Sequence, residues 1–355
     1  MVDSFDVTKI LLLATVSFVV AIAWTPLLTH LLYKYRMGKS IRSAVTAPMF
    51  AKLHAKKAGV PTMGGVLMWA TTLGIALLFA LVSYIFPDTF AARLNFLSRS
   101  QTWLPLAALV AAGLVGMADD VMNVFKIGSH GGGIHGRHRL VLYTIIAAIG
   151  AWWFSVKLEW DVLHIPFFGD LSVGPWYALI FILVIVATSF SVNQTDGLDG
   201  LAGGTLASAF GAYAVIAMLQ GRYDLAAFCA VIMGSLLAFL WFNIYPARFI
   251  MGDTGAMSLG VTLGIIAMLT NSALLLPVIG IVFVVETVTT IMQVVSKKLF
   301  GRKIFLIAPI HHHFEAKGWP EPKVVMRFWV ISWIGAGLGI ILALLDMSSN
   351  SVLLG

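Results

Sequence analysis

Long apolar runs, broken by short polar or Gly/Pro-rich stretches, pattern the chain from end to end. Runs near 10–33, 63–86, 103–118, 140–156, 174–192, 201–219, 224–242, 255–270, 273–296 and 325–345 predict ten membrane-spanning helices, since a helix needs roughly 20 apolar residues to cross a bilayer. The fourth and fifth are short enough to tilt or lie partly in the interface, and the eighth and ninth are so close that Asn271-Ser272 must make a tight turn. No repeat of 20–50 residues and no separate soluble stretch interrupts the pattern, so the expected architecture is one all-α polytopic domain over 1–355.

Composition narrows the class. Of 355 residues 59% are hydrophobic and 11% charged, and the mean hydropathy is +0.93; soluble domains hold about 25% charged residues and cannot hide so much apolar surface. The first apolar run is too long for a signal-peptide core and is followed by no small-residue cleavage pattern, so it reads as a span. Cys229 is the one cysteine and lies in an apolar run, which excludes a disulfide framework and suggests an inert core residue.

The net charge of +7 does not mark a nucleic-acid binder, because the basic residues are not grouped with stacking aromatics on a polar face. They sort by topology instead. Loops after odd-numbered spans hold 17 Lys and Arg residues, among them Lys39, Arg42, Lys52, Lys56, Lys57, Arg139 and Arg248, against 4 after even-numbered spans, Arg93, Arg99, Lys157 and Arg222. Lys and Arg near span ends accumulate in the cytoplasm, so the odd loops are expected to be cytoplasmic and both termini periplasmic. The long polar stretches 34–62, 119–139 and 297–324 then all fall on the cytoplasmic side.

Three acidic clusters lie on that same side. Asp119-Asp120 follows the third span, and adjacent residues on a helix point about 100° apart, so the two carboxylates should serve different partners; a solvated helix end is the plainer reading. In Asn193-Gln194-Thr195-Asp196-Gly197-Leu198-Asp199-Gly200, Asp196 and Asp199 would share a face if the sixth helix begins there, or act simply as caps. Asp253, in Met251-Gly252-Asp253-Thr254-Gly255, opens the eighth span, where backbone N–H groups favour anions. Like charges gathered at a low-dielectric boundary repel unless a cation holds them. An all-oxygen set that keeps its waters suits Mg²⁺, commonly completed by substrate phosphate. Zinc competes through His311-His312-His313, although on an extended segment these would project alternately and not meet at one ion; phosphate contact or proton handling is the other reading.

Lys56-Lys57-Ala58-Gly59-Val60-Pro61-Thr62-Met63-Gly64-Gly65 reads as a positive-inside anchor on anionic lipid, yet its glycine-rich turn exceeds what an anchor needs and makes Lys57 a candidate substrate contact. Gln293 either reaches a ligand or bonds a neighbouring helix. Glu286, deep in the ninth span, is left out of the site, being equally a paired or interface carboxylate.

From about Lys56 to Ser332 the chain resembles the phospho-N-acetylmuramoyl-pentapeptide transferases of the polyprenyl-phosphate N-acetylhexosamine-1-phosphate transferase superfamily. The resemblance rests on AGVPTMGG, ADD, NQTDGLDGLAGG, FNIYPARFIMGDTG, FVVETVTTIMQVVSKK and, most specifically, APIHHHFEAKGWPEPKVVMRFW. The chain departs from the family where Phe190-Ser191-Val192-Asn193-Gln194 stands for Asn-Ala-Val-Asn-Leu, where Ile250 replaces a phenylalanine, and where Arg139 replaces a lysine.

The resemblance implies ten helices, a homodimer, an inner-membrane location with a cytoplasmic active site, and Mg²⁺ as cofactor. It implies transfer of phospho-MurNAc-pentapeptide from UDP-MurNAc-pentapeptide to undecaprenyl phosphate, giving lipid I and UMP. Asp119, Asp120, Asp253 and His312 become the expected catalytic residues, with Asp253 and Asp120 at the metal. Lys57, Thr62, Arg139, Asn193, Asp196, Gly197, Leu198, Asp199, Gln293, His311 and His313 become the expected substrate contacts. A relative using a simpler sugar nucleotide and a secondary transporter are the alternatives; transporters place their polar sites near the midplane rather than at one rim.

Overall fold

The computed structural model describes residues 4–38, 57, 59–98, 101–128 and 132–353. Lys39, Arg42, Lys52, Lys56, Ala58 and Arg99, which enter the sequence reading above, lie outside the described residues. The chain is an all-α polytopic membrane protein. Its first eight helices are α1 Ser4–Lys34, α2 Val66–Ile85, α3 Trp103–Val124, α4 Gly136–Trp152, α5 Trp176–Thr195, α6 Leu201–Leu219, α7 Tyr223–Asn243 and α8 Gly252–Leu269. Four more follow: α9 Leu276–Ile279, α10 Ile281–Phe300, α11 Ile310–Ala316 and α12 Glu321–Leu353.

Nine helices among the described residues are long and apolar enough to cross a membrane, and ten spans result if the bent pair α9–α10 counts as one. The predicted ninth span is therefore not straight: the segment Ala273–Ile279 meets α10 at 83°. The break falls at Gly280, the residue type least able, after proline, to sustain a helix interior. Asn271, in the expected tight turn, adopts φ 48°, a left-handed conformation that Asn tolerates better than most residues.

Burial divides the helices. Helices α6, α7 and α8 are buried over most of their surface, with α8 packed chiefly on α3 and α5 and α7 on α1 and α6. Helices α1, α5 and α12 turn apolar side chains such as Leu11, Leu27, Leu183, Val330 and Ile334 outward, the arrangement a hydrocarbon solvent favours.

The far rim carries a feature the apolar pattern did not predict, an antiparallel hairpin of β1 Val162–Ile165 and β2 Gly169–Ser172. Its alternation is too short to stand out beside the spans. The start of α1, the hairpin and the end of α12 share this rim, because Lys9 bonds Asp224 at the start of α7 and His164 bonds Asp346 near the end of α12.

Candidate active site

The motif residues lie at the opposite rim, and the helix termini explain why. Helix α8 begins after Met251, which has no side-chain acceptor for the orphan N–H groups of a first turn. Carboxylates from two other helices replace it. Asp196, just past α5, accepts from the Gly252 N–H at 3.1 Å. Asp120, in the last turns of α3, accepts from the Thr254 N–H at 3.0 Å and the Thr254 hydroxyl at 2.7 Å through Oδ2. Its Oδ1 accepts from Thr62 at 3.0 Å. Negative charge at a helix N-terminus is favourable, so these contacts fix α8 while holding three motifs together.

Close approach completes the junction. A Cβ at Gly116 would strike the backbone of Asp253, and one at Gly252, where φ is 73°, would strike Asp120 and Thr62. The Pro61–Gly65 turn pairs with 250–251 through Ile250 N–H to Pro61 O, Gly64 N–H to Ile250 O and Gly65 N–H to Met251 O, each at 2.9 Å.

Asp253 and Asp119 face one another across Arg139, which sits in the first turn of α4. The guanidinium reaches Asp119 Oδ2 at 2.6 Å and Asp253 Oδ2 at 3.0 Å. The Asp119 contact is an ion pair by distance, although the Nε–H does not align with that oxygen as a hydrogen bond. Asp119 is fully buried and accepts from the Ile134 N–H at 2.5 Å, while Asp253 is 13% exposed and accepts from Asn193 Nδ2 at 2.5 Å.

A second network lies alongside. Lys57 bonds Asp199 at 2.7 Å and Glu321 at 2.5 Å. Burial alone would lower the ammonium pKa, but the charges of Glu321 and Asp199 outweigh it and hold Lys57 above its ordinary value. Asp199 also accepts from Ala247 N–H at 3.0 Å, and Glu321 accepts from Asp199 N–H at 2.7 Å.

Several expectations change in detail. Asp119 and Asp120 belong to α3 rather than following it, and they do serve different partners. Asp196 and Asp199 do not share a helical face: α6 starts at Leu201 behind Gly200 at φ 81°, so the two carboxylates leave the turn toward α8 and Lys57 respectively. Gly197 and Leu198 form the turn between them, with Leu198 buried beside Val324 and Phe328. Gln293 does not project toward the carboxylates; it accepts from Ile304 and Phe305 N–H and donates to Phe305 O, pinning the connection to α11.

The three histidines sit on a helix rather than an extended strand, because Pro309 at the cap position sets the first turn of α11. Their partners differ: His311 bonds Glu286 at 2.8 Å, His312 bonds Glu315 at 2.7 Å, and His313 Nδ1 accepts from Leu306 N–H at 3.1 Å. Slight burial and then Lys317 depress the His313 pKa. Phe249 is fully buried between Phe239 and Phe242 and offers no open ring face.

Sequence reasoning missed Glu321, Thr254 and Asn243, which donates to Phe249 O and accepts from Gly200 N–H. Glu321 in Pro-Glu-Pro reads as an ordinary first-turn acid, and nothing local to it signals Lys57.

The family model for Glycosyl transferase family 4 matches residues 102–271, which cover α3 through α8 and the acidic clusters. Relatives extend over nearly the whole chain. The phospho-N-acetylmuramoyl-pentapeptide-transferase of Chloroflexus aggregans is 37% identical over 98% of this chain and 92% of its own. The enzyme of that name from Geobacillus kaustophilus is 40% identical over 93% of this chain and 97% of its own, and that from Desulfatibacillum aliphaticivorans 38% identical over 94% and 90%. With identity of this extent over nearly its whole length, the chain belongs to the phospho-N-acetylmuramoyl-pentapeptide transferase family.

Proposed function

We propose that the chain transfers phospho-MurNAc-pentapeptide from UDP-MurNAc-pentapeptide to undecaprenyl phosphate, forming lipid I and UMP at the cytoplasmic face of a bacterial inner membrane. The observation that carries this reading is the meeting of Asp119, Asp120, Asn193, Asp196, Asp199 and Asp253 with Lys57 and Arg139 at one rim of an apolar bundle. A membrane-embedded acceptor whose phosphate sits at the headgroup level needs its partners at that depth. The excess of Lys and Arg in the loops of this rim supports a cytoplasmic orientation, with both termini on the periplasmic side. A homodimer is proposed on the family resemblance.

Mg²⁺ fits the residues present. Among the described residues no three His, Cys, Asp or Glu side chains form a closed metal cage, and Mg²⁺ commonly takes only one or two carboxylates, its other positions going to water and substrate phosphate. Asp253, partly exposed and all-oxygen, would hold it. Both carboxylates already have partners on each oxygen, Asp253 with Asn193 and Arg139 and Asp120 with Thr62 and Thr254, so each would take the ion by sharing one; Asp119 lies across Arg139 from Asp253. Bound there, such an ion would supply positive charge against the diphosphate and the departing UMP.

The protein's own groups do the rest. Lys57 and Arg139 supply fixed positive charge for two anionic reactants that would otherwise repel, with His312 sharing part of it. An oxygen of the lipid phosphate forms the new bond to the sugar-linked phosphorus, the bond from that phosphorus to the UMP oxygen breaks, and UMP leaves with the electron pair. A phosphate monoester, with second pKa near 6, is largely dianionic at neutral pH, so no strong base is required; Asp119 or Asp120 positions it and accepts any residual proton.

UMP release by the purified protein, with UDP-MurNAc-pentapeptide and UDP-GlcNAc offered separately, tests this. Lipid-dependent release from the first alone is expected; release from UDP-GlcNAc would point to the simpler-sugar branch, and none from either would defeat the assignment. A phosphorylated protein trapped without lipid acceptor would replace direct attack with a covalent route.

A further inference from the structure

Glu286 and His311 are a titratable pair with no solvent exposure at all, and nothing in the reaction above uses Glu286. Two ionisable groups are buried together at a cost unless the geometry serves something. His311 Nδ1 lies 2.8 Å from Glu286 Oε2. The remaining atoms of the pair, Glu286 Oε1 and His311 Nε2, are buried and have no hydrogen-bond partner among the described residues.

The pair has a direction. A carboxylate against Nδ1 keeps the proton on that nitrogen, as outer-sphere carboxylates do for functional histidines. Nε2 is thereby aimed at Gly197: a methyl group there would collide with the His311 ring and crowd His312. Gly197 lies between Asp196, which caps α8, and Asp199, which holds Lys57. One residue beyond Glu286, Thr287 donates to Ser191 at 2.7 Å. Two consecutive residues of α10 thus brace the end of α5 and the turn that follows it.

We propose that Glu286 is a positioning residue for the transfer reaction. By fixing His311 as the Nδ1–H tautomer, it sets the imidazole against Gly197, and so sets the separation of the Asp196 and Asp199 branches of the site. Glu286 touches no reactant; it acts through His311 and the turn. The inference rests on the proposed transferase reading.

The test pairs Glu286→Ala and Glu286→Gln in full-length protein, with ¹⁵N-histidine spectra as a readout independent of catalysis. The wild-type His311 spectrum is expected to show a protonated Nδ1. Glu286→Ala should lose that signature and lower kcat by about 100-fold, with KM for the nucleotide sugar changed far less. Glu286→Gln, whose amide oxygen can accept the same N–H, should keep the tautomer and recover most of kcat. A His311 tautomer unaltered in Glu286→Ala would overturn the proposal, as would full turnover in that variant. So would a Gln variant as impaired as Ala while melting like wild type. Wild-type protein that shows the tautomer but makes no lipid-linked product would count against the transferase reading alone.

Discussion

The two rims of the bundle both carry ion pairs, yet they differ in burial and in how many acids each cation faces. At the far rim the groups close on themselves: Lys9 meets Asp224 and the Asn95 carbonyl, and His164 bridges Asp170 and Asp346 while Phe167 N–H donates to Asp346 at 2.7 Å. That set ties loops and helix ends to one another. At the opposite rim Asp119, Asp120, Asp196, Asp199, Asp253 and Glu321 outnumber Lys57 and Arg139, which face them. The excess of acids belongs to this inner cluster, since the loops around it carry most of the chain's Lys and Arg, and Asp253 keeps the cluster partly open. Each of these carboxylates also holds a neighbouring backbone or side-chain group, and the proposed reaction would use the same cluster for a cation and anionic reactants. Cavities of similar size lie at both rims: one of about 210 Å³ at the far rim, lined by His164, Arg222, Asn271 and Asp346, and one of about 200 Å³ beside the Pro61 turn, lined by Leu32, Arg36, Met37 and Pro61.

Breaking the active rim should cost most. Asp253→Asn removes the most accessible of the facing carboxylates while preserving shape, and turnover is expected to fall by roughly 10²–10³-fold. Steady-state UMP release at saturating substrate checks this; a loss under about threefold would mean that Asp253 is only a helix-end charge.

Lys57→Met should come next. It leaves Asp199 and Glu321, 5% and 9% exposed, facing one another without a cation. Uncompensated buried charge costs about 3–5 kcal/mol, so both the melting temperature in detergent and the turnover should drop. An unchanged melting temperature would mean that Lys57 serves the substrate alone.

The far rim should yield a small effect of a different kind. Burial would lower the His164 pKa, but hydrogen bonds to Asp170 and Asp346 and their charges raise it above the ordinary value. A raised folded-state pKa stabilises fully below the unfolded value, near 6.5, and the contribution disappears as pH climbs through the folded value. His164→Gln should therefore lower the melting temperature in mildly acidic buffer by the equivalent of less than about 1 kcal/mol, and hardly at all in alkaline buffer. Turnover should stay at wild type throughout. A difference that grows with pH would reverse the assigned sign.

These contrasts also mark what could be read from sequence. The span positions follow from apolar run length alone, and α6 begins and ends where the pattern places it, at 201 and 219. The three acidic clusters were visible as clusters because charge is rare in this chain. Their pairings were not. Lys57 and Glu321 are 264 residues apart, and a residue's own neighbourhood carries no trace of so distant a partner. Local conformation escaped in two places for a different reason: one residue type decided it. Gly200 starts α6 too late for Asp196 and Asp199 to share a face, and Gly280 breaks a run that hydropathy treats as continuous. Glu286 has no single reading in the sequence, because a carboxylate within an apolar run has several physical explanations, and the fully buried contact with His311 is what selects one.

The most direct test of convergence at one rim is a double-mutant cycle between α4 and α8, using Arg139→Lys and Asp253→Glu and reading kcat/KM for UMP release. Lysine cannot bridge two carboxylates with the fork geometry of arginine, so each single change should already lower the rate. If the two residues act in one network, the double variant should lose less than the product of the single losses, with a coupling of about 1–3 kcal/mol. Losses that multiply cleanly would place Arg139 and Asp253 in separate environments and contradict a single charged site.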